Sequence, residues 1–487
     1  MSSKSVIVIG GGLAGLAAGV ALAEAGLRVR LFEKRPFLGG RATSYVLPDG
    51  EHVDNCQHVT LGCCTNLEDF YRRAGSADKI KFFDRLVFVD AHGRPGVMHS
   101  SWFCPAPFHL SPSFAFFPLL TLRDKLAIAR ALLAISLGRG HTPDLDEPGG
   151  ISMLEWLHRH RQTPGAIARF WRVVLVSALD EELERTDARY GVQVFWKAFL
   201  ANRTGYRMGV PAVPLAELYA GCKAAMERKG GEVLLRAPVR GLRFANGRIA
   251  GVQLDDGRVE TADAYVLAVP HAALPELLPA DLLRSDPALA HIGQLTDAPI
   301  TGVHFWFDRA VMSEPFLSVL DCTTQWIFNK SALYGADGNA NGGQYLQLVI
   351  SASYDLLPRS RQEIIDLCLA EVRQILPAAR DAVLRKATVI KETAATFSPA
   401  PGCDRWRPQQ QTATPGLFLA GDWTATGWPA TMEGAVRSGY LAAEAVLLSA
   451  GSPQSFLQPD RPDGGLFKLW KSTASRSRVK WPLRGRT

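Results

Sequence analysis

Three glycines and one acid near the start of the chain have the types and order that hold a dinucleotide pyrophosphate. Gly10, Gly12 and Gly15 form G-x-G-x-x-G within SVIVIGGGLAGLAAGVALAEAGLRVRLFEKR, and Glu33 closes the same stretch. Gly10 permits a tight turn, Gly12 lets the backbone approach an anion, and Gly15 lets helix and strand pack closely. The N–H groups at the helix start, around Leu13 and Ala14, meet that anion with the positive end of the helix dipole. An acid at Glu33 accepts hydrogen bonds from a ribose diol. A glycine triplet alone is a weak signal, so the flanking elements decide. Ser5 to Ile9 reads as a β-branched strand buried on both faces, Leu13 to Ala25 as a helix stopped by Gly26, and Leu27 to Phe32 as a second strand. That is one complete βαβ unit. Only Lys4 precedes the apolar run, so a cofactor site is expected here rather than a secretion signal.

A chain of 487 residues with 47% hydrophobic and 21% charged content is globular and exceeds one small core. The stretch from Pro95 to Leu122 holds no Asp, Glu, Lys or Arg, but its prolines break any membrane-spanning helix. FHLSPSFAFFPLL within it suits the wall of an apolar cavity, or a segment that dips into a membrane surface. The eight cysteines form no C-x-x-C pair and no zinc spacing, so free thiols, a reducing cytoplasm and no metal site are expected. The net charge of +7 is matched by Lys468, Lys471, Arg476, Arg478, Lys480, Arg484 and Arg486, interleaved with Trp470 and Trp481 and free of acids. Such a tail suits the anionic inner face of a membrane; its other readings are a solvated tail and non-specific nucleic-acid contact. No nucleic-acid partner is expected.

The elements that must position the glycine site are scattered. Helices are expected over residues 65–75, 122–137 and 151–160, with 166–179 open between helix and strand because of its VVLV run. Residues 232–270 alternate around Asn246-Gly247 and Asp256-Gly257, two hairpin signals, and end in a buried strand at 264–269. Further strands are expected at 301–307 and 344–351, a strand followed by a turn at 416–423, and helices at 361–375 and 432–447. The expected class is α/β. Its cofactor domain comes in three parts, 1–90, 206–270 and 397–450. Between them lie a Phe-rich helical segment at 91–205 and a substrate domain at 271–396, and a basic tail follows at 451–487.

Four separated motifs agree with one another: GGGLAG with Glu33, FLGGRATS with Gly39, Gly40 and Arg41, the run closing in YVLAVP, and GLFLAGDWTATGWPATMEGAVRSG. The set resembles the FAD-containing amine oxidase and phytoene desaturase superfamily. That resemblance implies a Rossmann-type FAD-binding domain carrying an inserted substrate domain of mixed sheet and helices. It implies Arg41 as a fixed cation near the pyrophosphate, Lys34 beside Glu33, and Val239 as a backbone contact on the adenine side. It also implies Gly421 and Asp422 at the ribityl and phosphate oxygens, and Met432, Glu433 and Ala435 at the helix start that faces the flavin edge. A narrower likeness lies in VDNCQHVTLGCCTNLEDFYRRAG together with TGWPAT. These runs resemble hydroxysqualene dehydroxylase, the squalene-associated FAD enzyme of bacterial hopanoid synthesis. Relatives commonly carry Gly where Cys56 stands, which puts a thiol role there in doubt.

The narrower likeness implies replacement of an allylic hydroxyl by hydride on a C30 isoprenoid, giving squalene. Such chemistry needs a proton donor, a dry aromatic pocket and an external electron donor. Asp54 and His58 are the expected acid candidates, and burial beside a cofactor raises a carboxyl. The bland reading has Asp54 capping a turn and His58 holding a carbonyl. Glu433 is a weaker candidate because a helix start lowers its pKa. Tyr206, Trp423 and Trp428 are expected around the pocket, with Cys63 and Cys64 as packing. Rival readings are a carotenoid-type desaturase, with the hydride moving the other way, and a non-catalytic GDI-like isoprenoid binder. An amine oxidase fits less well, since no Cys stands at the flavin edge for covalent attachment.

Overall fold

The computed structural model describes residues 4–335 and 343–468. One five-stranded parallel sheet gathers segments from both ends of the chain. Its order is Glu232–Leu234, Arg28–Phe32, Ser5–Ile9, Ala264–Leu267, Leu417–Leu419. Val6, Ile7 and Val8 of the central strand are fully buried; Val6 and Val8 share a core with the helix residues Leu16 and Tyr440, and Ile7 shares one with Leu242, Val252 and Leu254.

The helix Leu13–Glu24 crosses from the first strand to the second and packs on the C-terminal helix Met432–Ser449. Small residues make that approach possible. A Cβ on Gly439 would stand 2.3 Å from the Ala14 carbonyl oxygen, and one on Gly15 would stand 2.0 Å from the Gly10 carbonyl oxygen. Gly10 itself has φ +107°, a conformation that side chains resist.

A second, seven-stranded mixed sheet joins strands of residues 297–397 to Arg85–Val89 and Pro95–His99. Its order is Leu384–Phe397, Asp297–Phe307, Gln344–Ser351, Trp326–Asn329, Phe316–Val319, Arg85–Val89, Pro95–His99. Helical segments of residues 108–200 pack beside it, among them Leu122–Leu137, which begins with a capping box between Thr121 and Asp124. The ambiguous run at 166–179 is helical, a π turn at Ile167–Trp171 leading into Arg172–Leu179. Trp171, Leu175 and Leu179, spaced four apart, are each fully buried, so the core takes one helical stripe and overrides the β preference of VVLV. The hairpin Val239–Ala245 and Arg248–Leu254 turns at Asn246-Gly247, both with positive φ. Among the described residues no helix is long and apolar enough to cross a membrane.

Gly439→Ala drives a methyl group into the Ala14 carbonyl and is expected to cost about 1–3 kcal/mol. Thermal unfolding of the purified variant reads this loss, and an unchanged midpoint would show that the two helices have room to part.

Candidate active site

The first helix starts at Gly12 with no side-chain cap and no acid in its first turn. Its leading N–H groups are therefore left for a ligand rather than satisfied by the chain. A Cβ on Gly12 would meet nothing nearer than the Gly40 Cα at 3.9 Å. The space beside Gly12 is thus not taken up by the protein's own packing, which fits close approach by a phosphate. Gly39 donates its N–H to the Gly11 carbonyl at 2.9 Å, which lays the loop Gly39–Arg41 along the first glycine turn. Glu33 accepts from the Gly11 N–H at 2.6 Å and from the Arg35 N–H at 2.7 Å, so it ties the turn to the end of the second strand.

Arg41 donates to Asp422 at 2.5 Å and to the Ala395 carbonyl at 3.0 Å. These bonds bring the N-terminal and C-terminal motifs to one place. Gly421 donates its N–H to Ser438 Oγ at 2.8 Å, and Thr431 caps the last helix by accepting from Gly434 N–H at 3.0 Å. Met432 and Ala435 are half-buried at that helix start. Val239 is half-buried at the start of the hairpin, and Lys34 is exposed at the edge of the glycine site.

Beside this cradle lies an apolar cavity. Phe114 and Phe117 of the proline-rich stretch, Phe170, Phe199, Trp326 and Phe328 line it, and Gln57, Thr431, Met432 and Glu433 form part of its wall. Tyr206, Trp428, Cys63 and Cys64 also line it. Trp423 does not belong there: it is fully buried and its indole N–H donates to the Val269 carbonyl at 2.9 Å.

Asp54 lies behind the Gln57 wall, and its surroundings differ from the expectation. Its Oδ1 accepts from Ser44 Oγ at 2.7 Å and Leu215 N–H at 3.0 Å, and its Oδ2 from Lys330 Nζ at 2.7 Å and Tyr334 OH at 2.9 Å. Burial works to raise this carboxyl, but the Lys330 ammonium and the other donors outweigh it and hold the group below the usual range. An ionised carboxylate with four donors has no proton to give, so the role of acid passes away from Asp54. His58 shares its Nδ1 with the Cys56 carbonyl at 3.0 Å, and burial lowers its pKa, so it too is no reservoir of protons. For Glu433 the shift is the reverse of the expected one. Burial raises the carboxyl, against the Leu67 N–H, Arg437 and Asn66, which favour its charge. Desolvation here exceeds the pull of the helix start.

Comparison with known proteins gives the same picture. The model of the family described as flavin containing amine oxidoreductase matches residues 13–447. The chain belongs to that family. It is 28% identical to a zeta-carotene desaturase of Synechocystis over 92% of this chain and 98% of that one. It is 27% identical to a 15-cis-phytoene desaturase of Synechococcus elongatus, over 91% and 95%. Among solved structures, an oxidoreductase from Methanosarcina mazei superposes with a TM-score of 0.70 at 19% identity, covering 89% of this chain and 98% of that one. A putrescine oxidase superposes with 0.68 at 17%, covering 92% and 99%. As a member of this flavoenzyme family the protein is an FAD-dependent oxidoreductase with a mixed α/β fold.

Within this family member, three further buried residues carry no motif of their own. Lys330 ends the apolar run QWIFNK, and its partner Asp54 lies 276 positions earlier. Gln57 sits inside the D-N-x-Q-H run, where nothing in the sequence sets it apart from its neighbours. Asp180 has φ +54° and is 4% exposed. It accepts from the Ala352 N–H at 2.8 Å and bonds Thr396 Oγ1 at 2.9 Å. Among the described residues it has no ion-pair partner, and burial raises its carboxyl well above the ordinary value, with neighbouring Glu181 adding to the rise. A lone lysine closing a buried strand is the one legible hint for Lys330.

Asp54→Asn leaves a buried ammonium without its counter-charge and is expected to cost about 3–5 kcal/mol. The double change Asp54→Leu with Lys330→Met recovers much of that loss in denaturant unfolding of the holoenzyme. Asp54 has a depressed native pKa, so its contribution is present above its ordinary value of 3.8 and fades as pH falls through the native value. The Asn variant should therefore lack that part of the acid-stability curve; parental stability at neutral pH would contradict the pairing.

Proposed function

We propose that this flavoenzyme performs the reductive dehydroxylation of hydroxysqualene to squalene, a step of squalene and hopanoid biosynthesis. The observation that carries the reading is the position of Gln57 of the D-N-x-Q-H run. It lines a mostly apolar, phenylalanine-rich cavity, which suits a long isoprenoid bearing one polar group. FAD, when bound and reduced, supplies hydride. The chain's own groups bind the isoprenoid, exclude water and provide the proton with which the hydroxyl leaves. Asp180 is assigned that proton. It is a carboxyl held towards its neutral form with no cation paired to it among the described residues. Ala178 and Ser351, close in the chain to it and to its partner Ala352, line the cavity. An external electron donor reloads the flavin.

The carotenoid desaturases among the relatives favour a second reading, in which hydride passes from a polyene to oxidised flavin. Anaerobic incubation with hydroxysqualene and a chemical reductant, followed by mass spectrometry, is expected to yield squalene. Asp180→Asn should keep its flavin and lose most turnover, and in the parent the rate should fall as pH rises through the raised carboxyl pKa. Desaturation of phytoene under an oxidant, without squalene formation, would transfer the protein to the second reading.

We propose also that the protein docks on the anionic inner face of the cytoplasmic membrane. Leu122, Leu126, Leu133 and Leu137 form an exposed stripe on one helix, flanked by Arg123 and Arg130. Trp102 and Phe116, 83% and 87% exposed, stand in the same stretch that supplies Phe114 and Phe117 to the cavity. Leu466 donates its N–H to the Ala106 carbonyl at 3.0 Å, and Phe467 packs on Trp196. Leu466 and Phe467 thus lie beside this apolar rim, and the basic residues after Lys468 fall outside the described residues. An exposed apolar patch rimmed by cations fits an anionic bilayer, with about 1 kcal/mol from each basic residue near the surface. Sedimentation with anionic vesicles is expected to fall for Leu126→Asp with Leu133→Asp at all salt concentrations, and for a chain ending at Gly465 at low salt. Equal binding by all three proteins would remove the proposal.

A further inference from the structure

Gln57 is the point at which the buried charge pair reaches the cavity. Its side chain is 8% exposed and lines the apolar space near Val59, Leu61 and Phe328. Its Oε1 accepts from Lys330 Nζ at 2.7 Å, and its Nε2 donates to the His58 carbonyl at 3.1 Å. Burial lowers the Lys330 pKa, but the ionised Asp54 at 2.7 Å favours the charged form, and as an ammonium Lys330 offers only hydrogens. The amide can therefore face it only with its oxygen, which fixes the side chain's orientation. One N–H goes to His58. The second has no acceptor among the described residues, in a cavity wall made mostly of hydrocarbon.

Lys330 is itself fully buried, held by Asp54 and lying 4.5 Å from the centre of the Tyr334 ring. Asp54 holds the lysine, the lysine holds the amide oxygen, and the amide keeps one donor. An ammonium on the amide oxygen also draws charge from the nitrogen and strengthens that donor.

We propose that Gln57 donates this remaining N–H to the oxygen of the substrate's hydroxyl, with Lys330 as the positioning residue that orients the amide. The inference rests on the dehydroxylation reading and specifies how that site tells an alcohol from a hydrocarbon. In the balanced step the C–O bond breaks with its electron pair on oxygen, and that oxygen takes a proton from a protonated carboxyl of the protein and leaves as water. Reduced FAD, when bound, would supply the hydride that the carbon takes up, its two electrons drawn from the external reductant. Gln57 stabilises the oxygen as charge builds on it, as a preorganised donor in a water-poor site does. A hydrocarbon of the same length leaves the N–H without an acceptor and binds more weakly for that reason.

The test uses the FAD-loaded enzyme, with hydroxysqualene and squalene as ligands and quenching of cavity tryptophans such as Trp326 and Trp428 as the signal. The parent is expected to bind the alcohol at least about tenfold more tightly than the hydrocarbon. Gln57→Met should bring the two affinities together, leave squalene binding within about twofold, and lower kcat more than it raises KM. Lys330→Met should reproduce the lost preference although Gln57 is still present. Where the lysine variant does not fold, Gln57→Met decides alone, measured against the parent on both ligands. Retained alcohol preference in Gln57→Met, in a parent that makes squalene, overturns the role of Gln57 and leaves the reaction standing. A parent that makes no squalene and shows no alcohol preference overturns both.

Discussion

A lysine and an aspartate sealed from water constrain everything around them. Moving two such charges out of solvent costs several kcal/mol for each ion, and their attraction offsets this only when further hydrogen bonds complete the shell. Ser44, Leu215 and Tyr334 complete it for Asp54, and Gln57 does so for Lys330. The shell draws on stretches distant in sequence, so the flavin-proximal segment and the inserted sheet must meet in one register. A displaced strand would leave a bare charge, a far larger penalty than a lost apolar contact.

The cofactor cradle uses a different kind of constraint. There the requirement is closeness, supplied by residues that lack side chains: Gly15 on the first turn and Gly439 on the last helix. Polar ties then lock what closeness allows. Glu33 holds the first turn, and Arg41 with Asp422 joins the two ends of the polypeptide. The two constraints abut at residues 41–58, where Asn55 accepts from the Thr43 N–H at 3.4 Å and the backbone runs from the glycine site to the cavity wall.

What the sequence disclosed follows the range of the interactions involved. The first βαβ unit is legible because its glycines, helix and acid are local, and so is the Asn246-Gly247 hairpin, whose turn chemistry is complete in two residues. The Asp54–His58 run announces itself by composition, but not its role, because Lys330, which helps hold the Asp54 pKa down, lies 276 positions away. Glu433 shows the same limit: the helix start is visible in sequence, the burial that outweighs it is not. The VVLV run stays ambiguous until Trp171, Leu175 and Leu179 are seen to share one buried stripe. In the proline-rich stretch, composition marks an apolar surface, but only the fold separates Phe114 and Phe117, facing the cavity, from Phe116, facing out.

The order of the parallel sheet governs when the molecule can be completed. Its central strand pairs with Ala264–Leu267, which in turn pairs with Leu417–Leu419, and the helix from Met432 covers the glycine turn's own helix. During synthesis the amino-terminal motif leaves the ribosome with its partner strand Arg28–Phe32 long before the strands on its other side exist. Contacts of such sequence separation form late and slowly. Flavin loading is therefore an event that follows translation, and the nascent chain spends most of its emergence as an apoprotein with one side of its first strand unpaired.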